Sequence, residues 1–162
     1  MQYKLPSSFY IFLFVVLLIA NASVYKTIFS PHILSVSVLE VGKGRAVLVK
    51  TPENKTVLID TGADASVLRA LGENLPVWQR DIDAVILTSS AAGSAGGLPA
   101  IEDRYRVSKL IRIGDKNVPY GASFTFGNST IKILTPATFS ISSGTSVFDV
   151  SSSTPAGIYN FN

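Results

Sequence analysis

The sequence contains no cysteine and a single histidine, His32. Structural zinc sites are built mostly from Cys and His, so this chain has almost no means of making one. Disulfides, thiol nucleophiles and cysteine-held iron–sulfur clusters are excluded outright. Ser-His-Asp chemistry is limited to what His32 can reach. A hard cation on Asp and Glu oxygens remains open. Charge is also scarce: 15% of the 162 residues are Asp, Glu, Lys or Arg, and the formal charge is +3. So small a positive balance permits contact with nucleic acid or anionic lipid without arguing for it. The chain is long enough for one domain with a core of its own.

The longest stretch without charge is Leu5 to Tyr25, centred on the apolar run Phe9–Ala20 and flanked by Lys4 and Lys26. It has the length of a membrane-spanning helix. It also has the form of a secretory signal, with Ala20-Asn21-Ala22 as a cleavage site. The expectation is an uncleaved anchor over residues 1–28, which makes the membrane one partner. Cleavage after Ala22 would give a secreted protein instead. Both readings put the domain beyond residue 30 on the extracytoplasmic face.

Beyond that segment the periodicity changes. Leu34–Val41, Arg45–Thr51 and Thr56–Asp60 read as strands, joined by turns at Gly42-Lys43-Gly44 and Pro52–Lys55. A helix is expected near Ala65–Glu73, with Val67, Leu68 and Leu71 as its apolar stripe and Asp64 or Ser66 as its cap. Asp83–Thr88 is almost continuously apolar, as in a central strand buried on both faces. The small-residue loop Ser89–Gly97 comes next, and then a short helix starting at Leu98 or Pro99. Lys109–Ile113, Ser123–Phe126 and Thr130–Leu134 read as further strands. From Thr138 to Thr154, ten of seventeen residues are Ser or Thr. That composition predicts a loosely ordered tail over residues 138–162, with one strand at Val147–Val150. The element order gives an α/β (α+β) fold: a sheet with helices packed on it, preceded by one apolar helix. Trp78 and Tyr105 are expected in or at the edge of the core, and His32 in a solvated linker.

Three blocks, in order, resemble the extracytoplasmic metallo-β-lactamase-fold domain of ComEC-type DNA-uptake competence proteins. They are Val38–Gly62, Ser66–Thr88 and Leu87–Pro99, about half the chain. The resemblance implies a metallo-β-lactamase-like sheet over residues 29–137 and a link to DNA uptake. The third block matches the frame L-T-H-x-H-x-D-H-x-G-G-L-P. Its four metal-binding positions are Ser89, Ala91, Gly93 and Ser94 here. Ala and Gly have no donor atom and a neutral hydroxyl is a poor zinc ligand. The metal-generated hydroxide of that family would have no support. Asp60 is retained and Arg45 replaces an acidic residue. The resemblance further implies that the C-terminal half is truncated.

The expectation is therefore a pseudoenzyme or interaction module with no cofactor, whose vestigial site is Asp60, Ser89, Ala91, Gly93 and Ser94. Its partner would be a membrane competence protein or DNA. For Asp60 the local alternative is a cap on the Thr61–Ala63 turn. Asp60, Asp64 and Asp83 fit no known cation loop. A second functional reading is nucleic-acid binding through Arg104, Arg106, Lys109, Arg112 and Lys116, or anion binding by the backbone of Ser89–Gly97. A third is a non-functional truncated fragment, which would leave an apolar sheet face uncovered.

Overall fold

The structure is a computed structural model that describes residues 7–28, 33–114, 118–136, 138–151 and 153–161, with side chains from Ser8 to Ile19 in the first of these. His32 and Lys116 lie outside the described residues. Two compact units divide at Pro31/His32.

The first unit carries helix α1 (Ser7–Ile28). The large side chains from Phe9 to Ile19 are apolar and exposed all round it. Among the described residues no helix is long and apolar enough to cross a membrane.

The second unit is built on a six-stranded sheet. Its strands are β1 (Leu34–Leu39), β2 (Ala46–Lys50), β3 (Thr56–Ile59), β5 (Ala84–Leu87), β7 (Leu110–Arg112) and β12 (Gly157–Phe161). The spatial order is β12-β1-β2-β3-β5-β7. The pairs from β12 to β3 are antiparallel, while β3-β5 and β5-β7 are parallel. The parallel connections carry the helices α2 (Ser66–Asn74), α3 (Ala92–Ala95) and α4 (Leu98–Arg104). β4 (Asp81–Ile82) and β6 (Arg106–Val107) make a small parallel pair beside them.

Side-chain alternation sorts the main sheet into two faces. Leu39, Ala46, Leu48, Leu58, Val85 and Leu87 meet the α2 and α4 side chains Val67, Leu71, Leu98 and Ile101. Val36, Val47, Val49, Val57, Ile59 and Ile86 point the other way. That second face is covered by a four-stranded antiparallel sheet in the order β11-β10-β9-β8. Its strands are β8 (Ser123–Phe126), β9 (Ser129–Thr135), β10 (Thr138–Ser143) and β11 (Ser146–Val150). Ile131, Ile133, Phe139, Ile141 and Val150 supply the apolar contact. The strands and helices expected from periodicity are present, so the fold is mixed α/β with helices on one sheet face.

Two expectations are corrected. The tail is ordered: Thr138–Phe161 contains β10, β11 and β12, where one strand was expected. Phe139 and Ile141 point inward while Ser140 and Ser142 point outward, so the Ser/Thr excess is the wet face of a half-buried sheet. β12 pairs with β1, Leu34 opposite Phe161, which puts the end of the chain at the sheet edge. β10 and β11 help to cover the second face of the main sheet. Trp78 is the second correction. It is 77% exposed beside exposed Val77, because both lie on the turn that leaves α2. Tyr105 is buried as expected.

This packing predicts opposite outcomes on the two faces of the tail. Phe139→Ala should cost roughly 3–5 kcal/mol in urea unfolding, the range for a fully buried aromatic. Asp149→Ala, on the outward face of β11, should change stability by less than about 0.5 kcal/mol. Equal small effects would mean that β10 and β11 do not pack on the sheet.

Candidate functional site

Parallel strands leave their carboxyl ends side by side, and ligand sites of open α/β sheets gather there. Here that edge carries Asp60 after β3, Thr88 and Ser89 after β5, and Arg112 at the end of β7. Asp60 is 1% exposed and has φ +58°, a left-handed backbone that Asp tolerates better than most residues. Its own N–H donates to the Ile86 carbonyl at 2.8 Å. The turn swings its carboxylate onto Thr88, whose N–H donates to Oδ1 at 2.8 Å and whose hydroxyl donates to Oδ2 at 2.7 Å.

The pair is joined to the second sheet. The Pro136 carbonyl accepts from Arg45 Nη2 at 3.1 Å and lies 3.0 Å from Thr88 Oγ1, where it competes with Asp60 Oδ2 for the one hydroxyl proton. The Arg45 guanidinium also lies 5.9 Å from the Phe139 ring centroid. Tyr120 donates its phenol to the Thr88 carbonyl at 2.9 Å. Asp60 thus bonds to a residue 28 positions away, a different placement from the local cap expected on the Thr61–Ala63 turn. Asp64 does accept the Ser66 N–H at the start of α2, at 2.8 Å. Asp83 sits at the other end of the sheet, bonded to the Thr56 N–H and paired with Lys55. The three aspartates do not converge.

Three loops stack on one another beside Asp60, backbone to backbone. Arg45 N–H donates to the Gly93 carbonyl and Gly62 N–H to the Arg45 carbonyl, at 3.2 and 3.0 Å. The Ser94 carbonyl accepts from both the N–H and the hydroxyl of Thr61, at 2.7 and 3.0 Å. Gly44, with φ +95°, lies so close to the Gly93 carbonyl that a Cβ there would collide with it. The small residues of the loop therefore serve close approach.

Four of the five positions expected as a vestigial site divide between two cavities. Asp60, Gly93 and Ser94 line one of about 500 Å³, with Glu40, Arg45 and Thr154. Ser89 lines another of about 630 Å³. Ala91 is exposed. The N–H groups of Ala91 and of Ser94 to Gly97 all bond within the protein, to Ser89 Oγ, Ala91 O, Ala92 O and Gly62 O. Among the described residues no three Asp, Glu, His or Cys side chains converge as a metal site would require.

The basic residues are dispersed. Arg106 is held in a two-point ion pair with Asp81, at 2.8 and 3.2 Å, on the β4–β6 ribbon. Arg112 stands at the carboxyl end of β7, opposite Leu87, while Arg104 ends α4 and Lys109 precedes β7. The Arg106–Asp81 pair is not legible in sequence, because the two residues are 25 positions apart.

Burial pushes the Asp60 carboxyl from its usual 3.8 up to about 6. The Thr88 bonds, the Arg45 charge and the Ser94 side chain oppose this without cancelling it. The folded protein therefore holds this proton more tightly than the unfolded chain. Asp60's contribution to stability is full below about pH 3.8 and is lost as pH rises through about 6, a loss of roughly 3 kcal/mol. An Asn at this position can accept the Thr88 N–H and donate to Thr88 Oγ1, leaving the hydroxyl for Pro136. Asp60→Asn should therefore match or exceed the parent at neutral pH, by up to about 3 kcal/mol. The difference should vanish below pH 4, as read by urea unfolding across pH. Asp60→Ala should destabilise at every pH by leaving the Thr88 N–H without a partner. An Asn variant destabilised at all pH would show that the charge itself is required.

No family model matches the sequence, and no curated protein matches it. Similar solved structures include metallo-β-lactamases. One, from Cronobacter sakazakii, is 17% identical with a TM-score of 0.49, over 67% of this chain and 55% of that one. The Rm3 metallo-β-lactamase is 16% identical with a TM-score of 0.48, over 69% of this chain and 56% of that one. One from Hirschia baltica is 14% identical with a TM-score of 0.41, over 72% and 64%. The chain spans little more than half the length of the first two.

Proposed function

We propose that this chain is a non-hydrolytic relative of the competence-type metallo-β-lactamase domain, tethered by its N-terminal apolar segment on the extracytoplasmic face of a membrane. It acts as an interaction module for a membrane competence protein or for DNA. The observation that carries this reading is the state of Asp60: both carboxylate oxygens are taken by Thr88, and the residue is buried. A carboxylate so engaged is a clamp between strands. The residues around it do not fit a metal ion. Ser89, Ala91, Gly93 and Ser94 offer two neutral hydroxyls and two positions with no side-chain donor.

Two further facts support the reading. The three sequence blocks resemble the competence-type domain in order and spacing, and the third resembles its frame with Ser89, Ala91, Gly93 and Ser94 at the ligand positions. The side chains of α1 from Phe9 to Ile19 have no polar face to set against water, and a lysine flanks the segment on each side. The dispersion of Arg104, Arg106, Lys109 and Arg112 favours a protein partner over a phosphate backbone, because Arg106 is already committed to Asp81.

The test uses the whole chain. Expressed and fractionated, it should pellet with membranes and resist alkaline extraction. Purified in detergent, it should hold far less than one zinc per chain and leave phosphodiester substrates intact. Stoichiometric zinc together with phosphodiester cleavage would contradict the proposal. DNA binding that weakens steeply with salt would identify DNA as the partner.

A further inference from the structure

The larger cavity lies on the far side of the β5 loop from Asp60. It holds about 630 Å³ and sits between the ends of β5 and β7 and the start of α4. That is the size of a small-molecule site, at the sheet edge where such sites form. Its lining has two characters. Ala95 and Leu98 give an apolar wall and Tyr120 an aromatic one. Arg112, Ser89 and Ser90 bring a guanidinium and two hydroxyls.

These groups are disposed for a ligand. Arg112 makes no ion pair or side-chain hydrogen bond with any described residue and is the one charged side chain in the cavity lining. Ser89 Oγ accepts the Ala91 N–H at 3.1 Å, so its own proton is free to be donated outward. The Tyr120 phenol is anchored on the Thr88 carbonyl, which fixes its ring as a wall before anything binds. No carboxylate among the described residues lines the space.

We propose that this cavity binds a small amphipathic anion. A carboxylate or phosphate head sits on Arg112 with Ser89 and Ser90, and an aromatic or branched apolar body lies against Leu98, Ala95 and Tyr120. Arg presents a planar fork suited to either head. The site does not depend on the non-hydrolytic reading of Asp60, which lines the other cavity.

The test titrates the intact chain in detergent with phenylacetate, phenylphosphate, neutral phenylacetamide and inorganic phosphate, read by amide NMR at Ser89, Ser90 and Gly114. Saturable shifts are expected for both aromatic anions, and their relative affinity identifies the preferred head. The neutral amide and inorganic phosphate should each bind about tenfold more weakly or worse, having lost the charged or the apolar contact. Arg112→Gln should weaken the anions about tenfold and leave the amide unchanged. Ala95→Leu, which fills the cavity, should weaken all aromatic ligands. Equal binding of anion and amide, full affinity in Arg112→Gln, shifts confined to other residues, or no saturable binding would each overturn the proposal.

Discussion

A buried carboxylate bonded at both oxygens to one threonine organises this molecule. Asp60 and Thr88 come directly after adjacent parallel strands, and their two bonds fix how the loops after β3 and β5 leave the sheet. Pro136 and Tyr120 then join Thr88 to the segments flanking the second sheet. The arrangement needs an unusual backbone at Asp60, with φ +58°, worth of order 1–3 kcal/mol of strain. It also needs an ionisable group out of water. Bonds to a charged acceptor return about 1.5–3 kcal/mol each, so the ionised pair is close to balance, and the raised pKa is the sign of that balance.

Around this pair the loops are held to one another by backbone groups. The Gly93 carbonyl lies against Gly44 and binds the Arg45 N–H, and the Ser94 carbonyl serves Thr61 twice. The same loop faces the larger cavity with Ser89 and Ser90, which keep their hydroxyls free of such work apart from one accepted N–H. One side of the loop is thus tied into the fold by its backbone, while the other carries a polar rim.

Most of the sheet is legible from alternation. Strands β1, β2, β3, β8 and β9 and the continuous run of β5 come from period-two or fully apolar patterns, and α2 from its stripe of Val67, Leu68 and Leu71. The tail misleads because its composition masks its period: Phe139, Ser140, Ile141 and Ser142 alternate, yet the serines dominate the count. β12 pairs with a strand more than a hundred positions away, and no local pattern encodes that. Residue type alone puts Trp78 in the core, whereas its exposure is decided by the turn it occupies. At the site Asp60, Ser89, Ala91, Gly93 and Ser94 are legible as a frame. The Asp60–Thr88 bonds and the division of the loop between two cavities are not, since both depend on strand order.

The central claim is that Asp60 is a structural clamp with a displaced proton equilibrium. Its carboxyl ¹³C shift, tracked through an acid-to-neutral titration, tests this most directly. The account predicts a midpoint near 6, with the Thr88 amide proton titrating in step and neither responding to added zinc. An ordinary carboxylate midpoint, or one that moves when zinc is added, would contradict it.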